Sequence, residues 1–79
     1  MITHDELARL AQRVVLEVMT EGDLKGNTGW EAWDPGAHAI RARDHIKAWF
    51  HNDESEDHLR HALTRITMEI ALEDLAFNK

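Results

Sequence analysis

Thr3-His4-Asp5-Glu6-Leu7-Ala8-Arg9-Leu10-Ala11-Gln12-Arg13-Val14-Val15-Leu16-Glu17-Val18 decides the fold class, because it carries both a helix start and a helix period. Thr3 followed three residues on by Glu6 is a capping box, in which each side chain satisfies the other's otherwise orphaned amide. Ile2 and Leu7 stand where a hydrophobic staple closes over that start. Leu7, Leu10, Ala11, Val14 and Val18 recur at the spacing of one buried helical face, widened by Val15, Leu16 and Met19. Gly22 is a natural C-terminal cap. These signals predict a first helix over about 4–21.

Beyond it, the stretch 22–34 holds three glycines and two tryptophans, Trp30 and Trp33, and reads as a loop folded back on the core. Asp34-Pro35, an acidic cap before proline at the first helical position, opens a second helix over about 35–50. Ala39, Ala42, Ile46, Trp49 and Phe50 give it an apolar seam, with His38, Arg41, Arg43, Asp44, His45 and Lys47 on its other faces. His51-Asn52-Asp53-Glu54-Ser55 breaks the pattern, and Asp53 with Glu56, or Ser55 alone, caps a third helix over about 55–76. Leu59, Leu63, Ile66, Ile70 and Phe77 line one side of that helix, with Ala62 and Met68 nearby. The expected fold is a single all-α domain over 1–79, a three-helix bundle whose second and third helices run antiparallel.

The bulk composition agrees. With 43% hydrophobic and 30% charged residues the 79-residue chain is globular, not a disordered tail. So short a chain buries a modest core and is marginally stable alone, so a homo-oligomer is one expectation. The absence of cysteine excludes disulfides, zinc knuckles and a thiol nucleophile. No apolar run reaches the roughly 18 residues of a membrane span, and acids at Asp5 and Glu6 spoil a signal-peptide pattern, so a cytoplasmic protein is expected. A net charge of −6 repels nucleic-acid phosphates and favours a basic protein partner.

Two constellations carry candidate chemistry. His45, Asp53, Glu54, His58 and His61 offer imidazoles and carboxylates near one helical hairpin, a reasonable first shell for a transition metal. The bland alternative is that they cap helix ends. The acids Asp53, Glu54, Glu56 and Asp57, with Glu69, Glu73 and Asp74, form a second group. They suit an exposed helix start and solvated helix faces, or else a surface imitating a row of phosphates. Of the three tryptophans, Trp49 is expected in the core, and Trp30 in the loop beside any pocket.

Arg43-Asp44-His45-Ile46-Lys47-Ala48-Trp49 and Asp53-Glu54-Ser55-Glu56-Asp57-His58-Leu59-Arg60-His61-Ala62-Leu63 resemble a phage and prophage family, the dATP/dGTP diphosphohydrolase N-terminal domain. The likeness runs over about residues 7–76 and is strongest in the Glu-Ser turn and His-Leu-x-His-Ala helix. It implies an all-α fold related to nucleotide pyrophosphatases that hold Mg²⁺ or Mn²⁺, with His45, Asp53, Glu54, His58 and His61 marking the site. Glu54 would then be the base and Trp30 a base-stacking lid. The pyrophosphatases' Glu-x-x-Glu pairs are absent, and the Glu-x-x-Asp matches at Glu31-Asp34 and Glu54-Asp57 fall in a loop and at a helix start.

Two functions follow as expectations. The first is a non-catalytic, cofactor-free phage inhibitor of the anti-CRISPR or DNA-mimic kind. It would occupy a host protein's basic nucleic-acid-binding surface through Asp53, Glu54, Glu56, Asp57, Glu69, Glu73 and Asp74. The second is a Mg²⁺- or Mn²⁺-dependent nucleotide diphosphohydrolase.

Overall fold

A computed structural model describes residues 1–77, with side chains as far as Asp74. Three α-helices follow in order, α1 (His4–Leu24), α2 (Ala37–Phe50) and α3 (His58–Phe77), with one 3-10 turn at Trp30–Ala32 between the first two. No strand occurs among the described residues, so the chain is the expected small all-α bundle. α3 is its centre: α1 and α2 each pack on it, while α1 and α2 do not pack on each other.

The capping box forms as the sequence requires. Thr3 Oγ1 accepts from the Glu6 amide at 3.1 Å, and Glu6 Oε1 accepts from the Thr3 amide at 3.4 Å. The far end of α1 differs from expectation. Gly22 lies inside the helix, which runs one turn further to a Schellman stop. Gly26 takes the left-handed conformation at φ 80°, its amide reaching the Asp23 carbonyl and the Asn27 amide reaching Gly22. A glycine with no Cβ enters that conformation freely, which is why Gly26 and not Gly22 ends the helix.

α2 also starts later than Asp34-Pro35 implies. Gly36, at φ 83°, precedes its first residue, and the cap is tertiary. The Glu69 carboxylate on α3 accepts from the Gly36 and Ala39 amides, both at 3.3 Å, placing negative charge on the positive end of the α2 dipole. At the other end Asn52 adopts φ 58° and closes a second Schellman stop, with its amide on Trp49 and the Asp53 amide on Ala48. α3 begins at His58 rather than near 55, because Asp53 holds the turn back. Its carboxylate accepts from both the amide and the hydroxyl of Ser55, and Asp57 takes over as cap by accepting from the Arg60 amide at 3.4 Å.

The core is thin. Val14, Ala42 and Ala62 are the buried apolar side chains among the described residues, accompanied by His38, His58 and Thr64. Leu10, Val15, Val18 and Met19 of α1 are half-buried, whereas Leu7 and Leu16 face outward. The predicted seam of α2 is turned by one position. His38, Ala42 and His45 face α3, while Ala39, Ile46 and Phe50 are exposed and Trp49 keeps 47% of its surface. Trp49 is therefore not core. The Phe77 side chain lies outside the described residues.

Candidate metal centre

The α2–α3 hairpin brings histidines from two helices to one carboxylate. His45 lies two-thirds of the way along α2, on the face that meets α3. His58 and His61 lie on the first turn of α3, three residues apart and so on neighbouring positions of one face. The bend before α3 turns Glu56 inward between them. Its Oε1 stands 3.1 Å from His45 Nδ1, 3.0 Å from His61 Nδ1 and 3.6 Å from His58 Nδ1. His45 Nδ1 and His58 Nδ1 are themselves 2.9 Å apart. Two ring nitrogens, from His45 and His58, and one carboxylate oxygen thus lie about a common centre, while His61 reaches the Glu56 oxygen alone.

These spacings match the edges of a metal polyhedron. A tetrahedral ion with ligands at roughly 2.0–2.1 Å separates its donor atoms by roughly 3.3 Å. His45, Glu56 and His58 satisfy this most closely and form a group able to hold an ion. His61 lies outside this group and hydrogen-bonds the same Glu56 oxygen at 3.0 Å.

Behind the donors lies an orienting shell. Asp53 Oδ2 accepts from His58 Nε2 at 2.9 Å, which puts the ring proton on Nε2 and leaves Nδ1 with its lone pair facing the centre. Carboxylate–histidine pairs of this kind fix the tautomer and raise the basicity of metal-bound imidazoles. That bond and those from Ser55 hold the Asp53 carboxyl below its usual range. The His61 hydrogen bond does the same for Glu56. Burial pushes His45 down, with the His61 and His58 rings adding to it against the pull of Glu56. An imidazole that resists protonation keeps a lone pair for a metal.

The centre opens on a cleft of about 530 Å³ between α1 and the hairpin, lined by His45, Glu56 and His61, by Trp30, Trp33, Arg41 and Arg65, and by Glu21 and Asp23 of α1. Arg65 lies over the Trp33 ring at 4.4 Å and Arg41 at 5.9 Å. Neither guanidinium is paired with a carboxylate among the described residues, and burial together with the nearby Arg41 charge lowers the Arg65 pKa. The wall is held by His38, which is wholly buried. Its Nε2 donates to the Trp30 carbonyl at 2.9 Å, its Nδ1 accepts from Arg65 Nη1 at 3.2 Å, and its ring stacks on Trp33 at 4.3 Å.

Of the metal-site residues expected from sequence, His45, His58 and His61 meet, and Asp53 supports them from behind. Glu54 does not join them; it is exposed, and Glu56 takes its place. Of the seven expected partner-binding acids, Asp53 and Glu56 turn to the histidines, Asp57 pairs with Arg60 at 2.9 Å, and Glu69 caps α2. Glu54, Glu73 and Asp74 stay exposed. His38, expected on a polar face of α2, is buried instead, and the one signal for it in the sequence is the 38, 42, 45 spacing, which shares Ala42 with the apolar seam. Set against known protein families, curated proteins and solved structures, the chain finds no match in any of the three.

Proposed function

We propose that this chain binds a divalent transition-metal ion through His45, Glu56 and His58, with His61 holding Glu56 by a hydrogen bond and Asp53 orienting His58. The observation that carries the reading is the convergence of three imidazole nitrogens on the Glu56 oxygen at 3.0–3.6 Å. Nitrogen-rich donors suit Zn²⁺ and its neighbours in the first transition row; Mg²⁺ prefers all-oxygen shells and keeps its waters. His45 would take the ion by moving its ring proton from Nδ1 to Nε2, so no net ionisation of the ring is required.

The cleft gives this ion work to do. A coordination position facing it would activate water or hold an anionic oxygen, and Arg41 and Arg65 stand ready for further negative charge. This supports metal-assisted hydrolysis of an anionic substrate, the class to which the expected nucleotide diphosphohydrolase belongs. The inhibitor reading has less support, because four of its seven carboxylates are engaged within the chain.

Calorimetric titration of chelator-stripped protein with Zn²⁺, Mn²⁺ and Mg²⁺ tests the proposal. One Zn²⁺ per chain should bind, His58→Ala and His45→Ala should abolish the heat, and Asp53→Asn should weaken binding by about 10–100-fold. Absence of binding by all three ions, or a His58→Ala variant that binds like the parent, would sink the idea. A panel of nucleoside triphosphates assayed with the ion that binds then tests the hydrolytic part.

A further inference from the structure

The hairpin carries two arginines on the same two helical faces as its histidines. Arg41 stands four residues before His45 on α2, and Arg65 four residues after His61 on α3, so each shares a face with its histidine. Because the helices are antiparallel, both steps lead away from the connecting bend by one helical turn, about 5.4 Å. The two arginines therefore come together one turn further along the same cleft. Both lie against Trp33, Arg65 at 4.4 Å and Arg41 at 5.9 Å from the ring centre. The Arg41 charge is felt at Arg65, and the Arg65 charge in turn at His45.

This pair lacks a counter-charge. Arg65 is half-buried, whereas every other Arg and Lys among the described residues is exposed. Arg43 and Arg60 have Asp44 and Asp57 as partners, at 3.4 and 2.9 Å. Neither Arg41 nor Arg65 meets a carboxylate among the described residues, although the chain carries fifteen acids against nine bases. Glu21, Asp23 and Glu56 line the same cleft, yet none closes an ion pair with either guanidinium. The hydrogen bonds of Arg65 run through Nη1, to His38 Nδ1 at 3.2 Å and Met68 Sδ at 4.0 Å. Its other nitrogens make no bond among the described residues, and none of them is buried, so they face open space. An aromatic ring attracts a cation through its quadrupole but cancels no net charge, so Trp33 does not stand in for the missing anion.

We propose that Arg41 and Arg65 together hold a phosphate-type dianion in the cleft. Two fixed cations call for two negative charges, and a phosphate carries close to two at neutral pH, where a carboxylate carries one. The planar fork of a guanidinium also matches phosphate oxygens two at a time. A cleft of about 530 Å³ has the size of a small-molecule site, and a net charge of −6 turns a nucleic acid away. The occupant is thus a small phosphorylated molecule. Naming it deepens the hydrolytic reading and rests on that reading for the use made of the ion, but binding of the phosphate itself needs the arginines alone. Held there, the phosphate sits about one helical turn from His45 and His61, which leaves the rest of the molecule to reach the ion.

Titration of the chelator-stripped full chain with inorganic phosphate at fixed ionic strength tests it, followed by the arginine Nε–H and indole N–H signals in NMR. The Arg41, Arg65 and Trp33 signals should shift saturably, and acetate should bind about tenfold more weakly than phosphate. Arg41→Gln, at an exposed position, should weaken phosphate binding about tenfold. Arg43→Gln, whose partner is Asp44, should leave it unchanged. Arg65→Lys keeps the charge but not the fork, and should weaken binding by a similar factor. Because Arg65 also bonds His38, Arg41→Gln decides the matter where Arg65→Lys fails to fold. No saturable shift, acetate binding as tight as phosphate, or an Arg41→Gln variant that binds like the parent overturns the proposal. So does phosphate binding that appears only after Zn²⁺ is added, since the anion is then a ligand of the ion. Saturable phosphate binding by a chain that takes up no Zn²⁺ leaves the arginine site standing and removes the metal reading.

Discussion

His38 is wholly buried, and its three engagements tie the 3-10 turn and α3 to α2. The Nε2 proton holds the 3-10 turn through the Trp30 carbonyl, Nδ1 holds α3 through Arg65, and the ring face holds Trp33. Truncation to alanine removes packing volume and strands a buried donor and acceptor together. His38→Ala should therefore lower the unfolding free energy by about 2–4 kcal/mol, read from the urea midpoint. A change within about 0.5 kcal/mol, the ordinary range for surface substitutions, would contradict the role assigned to it. This residue was illegible in the sequence because a histidine among arginines reads as a solvated face. Local patterning prices His as polar, yet a ring with both nitrogens bonded buries without penalty. The same limit explains Glu54 and Glu56. Only Ser55 separates Glu54 from Glu56, and which of them reaches the histidines is set by the bend that Asp53 and Ser55 make.

At the scale of elements, what is local was legible and what is tertiary was not. The start of α1 needed only Thr3 and Glu6, and the sequence names both. Helix ends were misplaced where the left-handed residue lies beyond the obvious candidate, as Gly26 does relative to Gly22. The start of α2 depends on Glu69, some thirty residues away, which no capping pattern reveals. Asn52 is the one non-glycine residue with positive φ among the described residues, and it sits where a glycine would be at ease. Asn52→Gly should therefore stabilise the hairpin by up to about 1 kcal/mol, visible as a raised thermal midpoint. A lowered midpoint would mean that the Asn52 side chain makes a contact the backbone conformation does not require.

For the whole molecule, three helices and their antiparallel hairpin were readable, as were three of the histidines, because apolar period and helix spacing fix them. The facing of α2 was not. Its apolar stripe is real, but Ile46 and Phe50 point outward while His38, Ala42 and His45 meet α3. The arrangement of α1 has a different outcome. Anchored to α3 alone and joined to the hairpin by the glycine-bearing loop, α1 can detach without disturbing α2 or the turn that holds the histidines. The chain should accordingly open in two stages, with α1 as a separate unit of low opening free energy. Hydrogen–deuterium exchange would show this as uniform loss of protection along His4–Leu24 ahead of Ala37–Phe50. Equal protection in all three helices would instead mark a single cooperative unit. A separable arm along the cleft means that the width of the cleft follows the stability of one helix and not that of the whole fold.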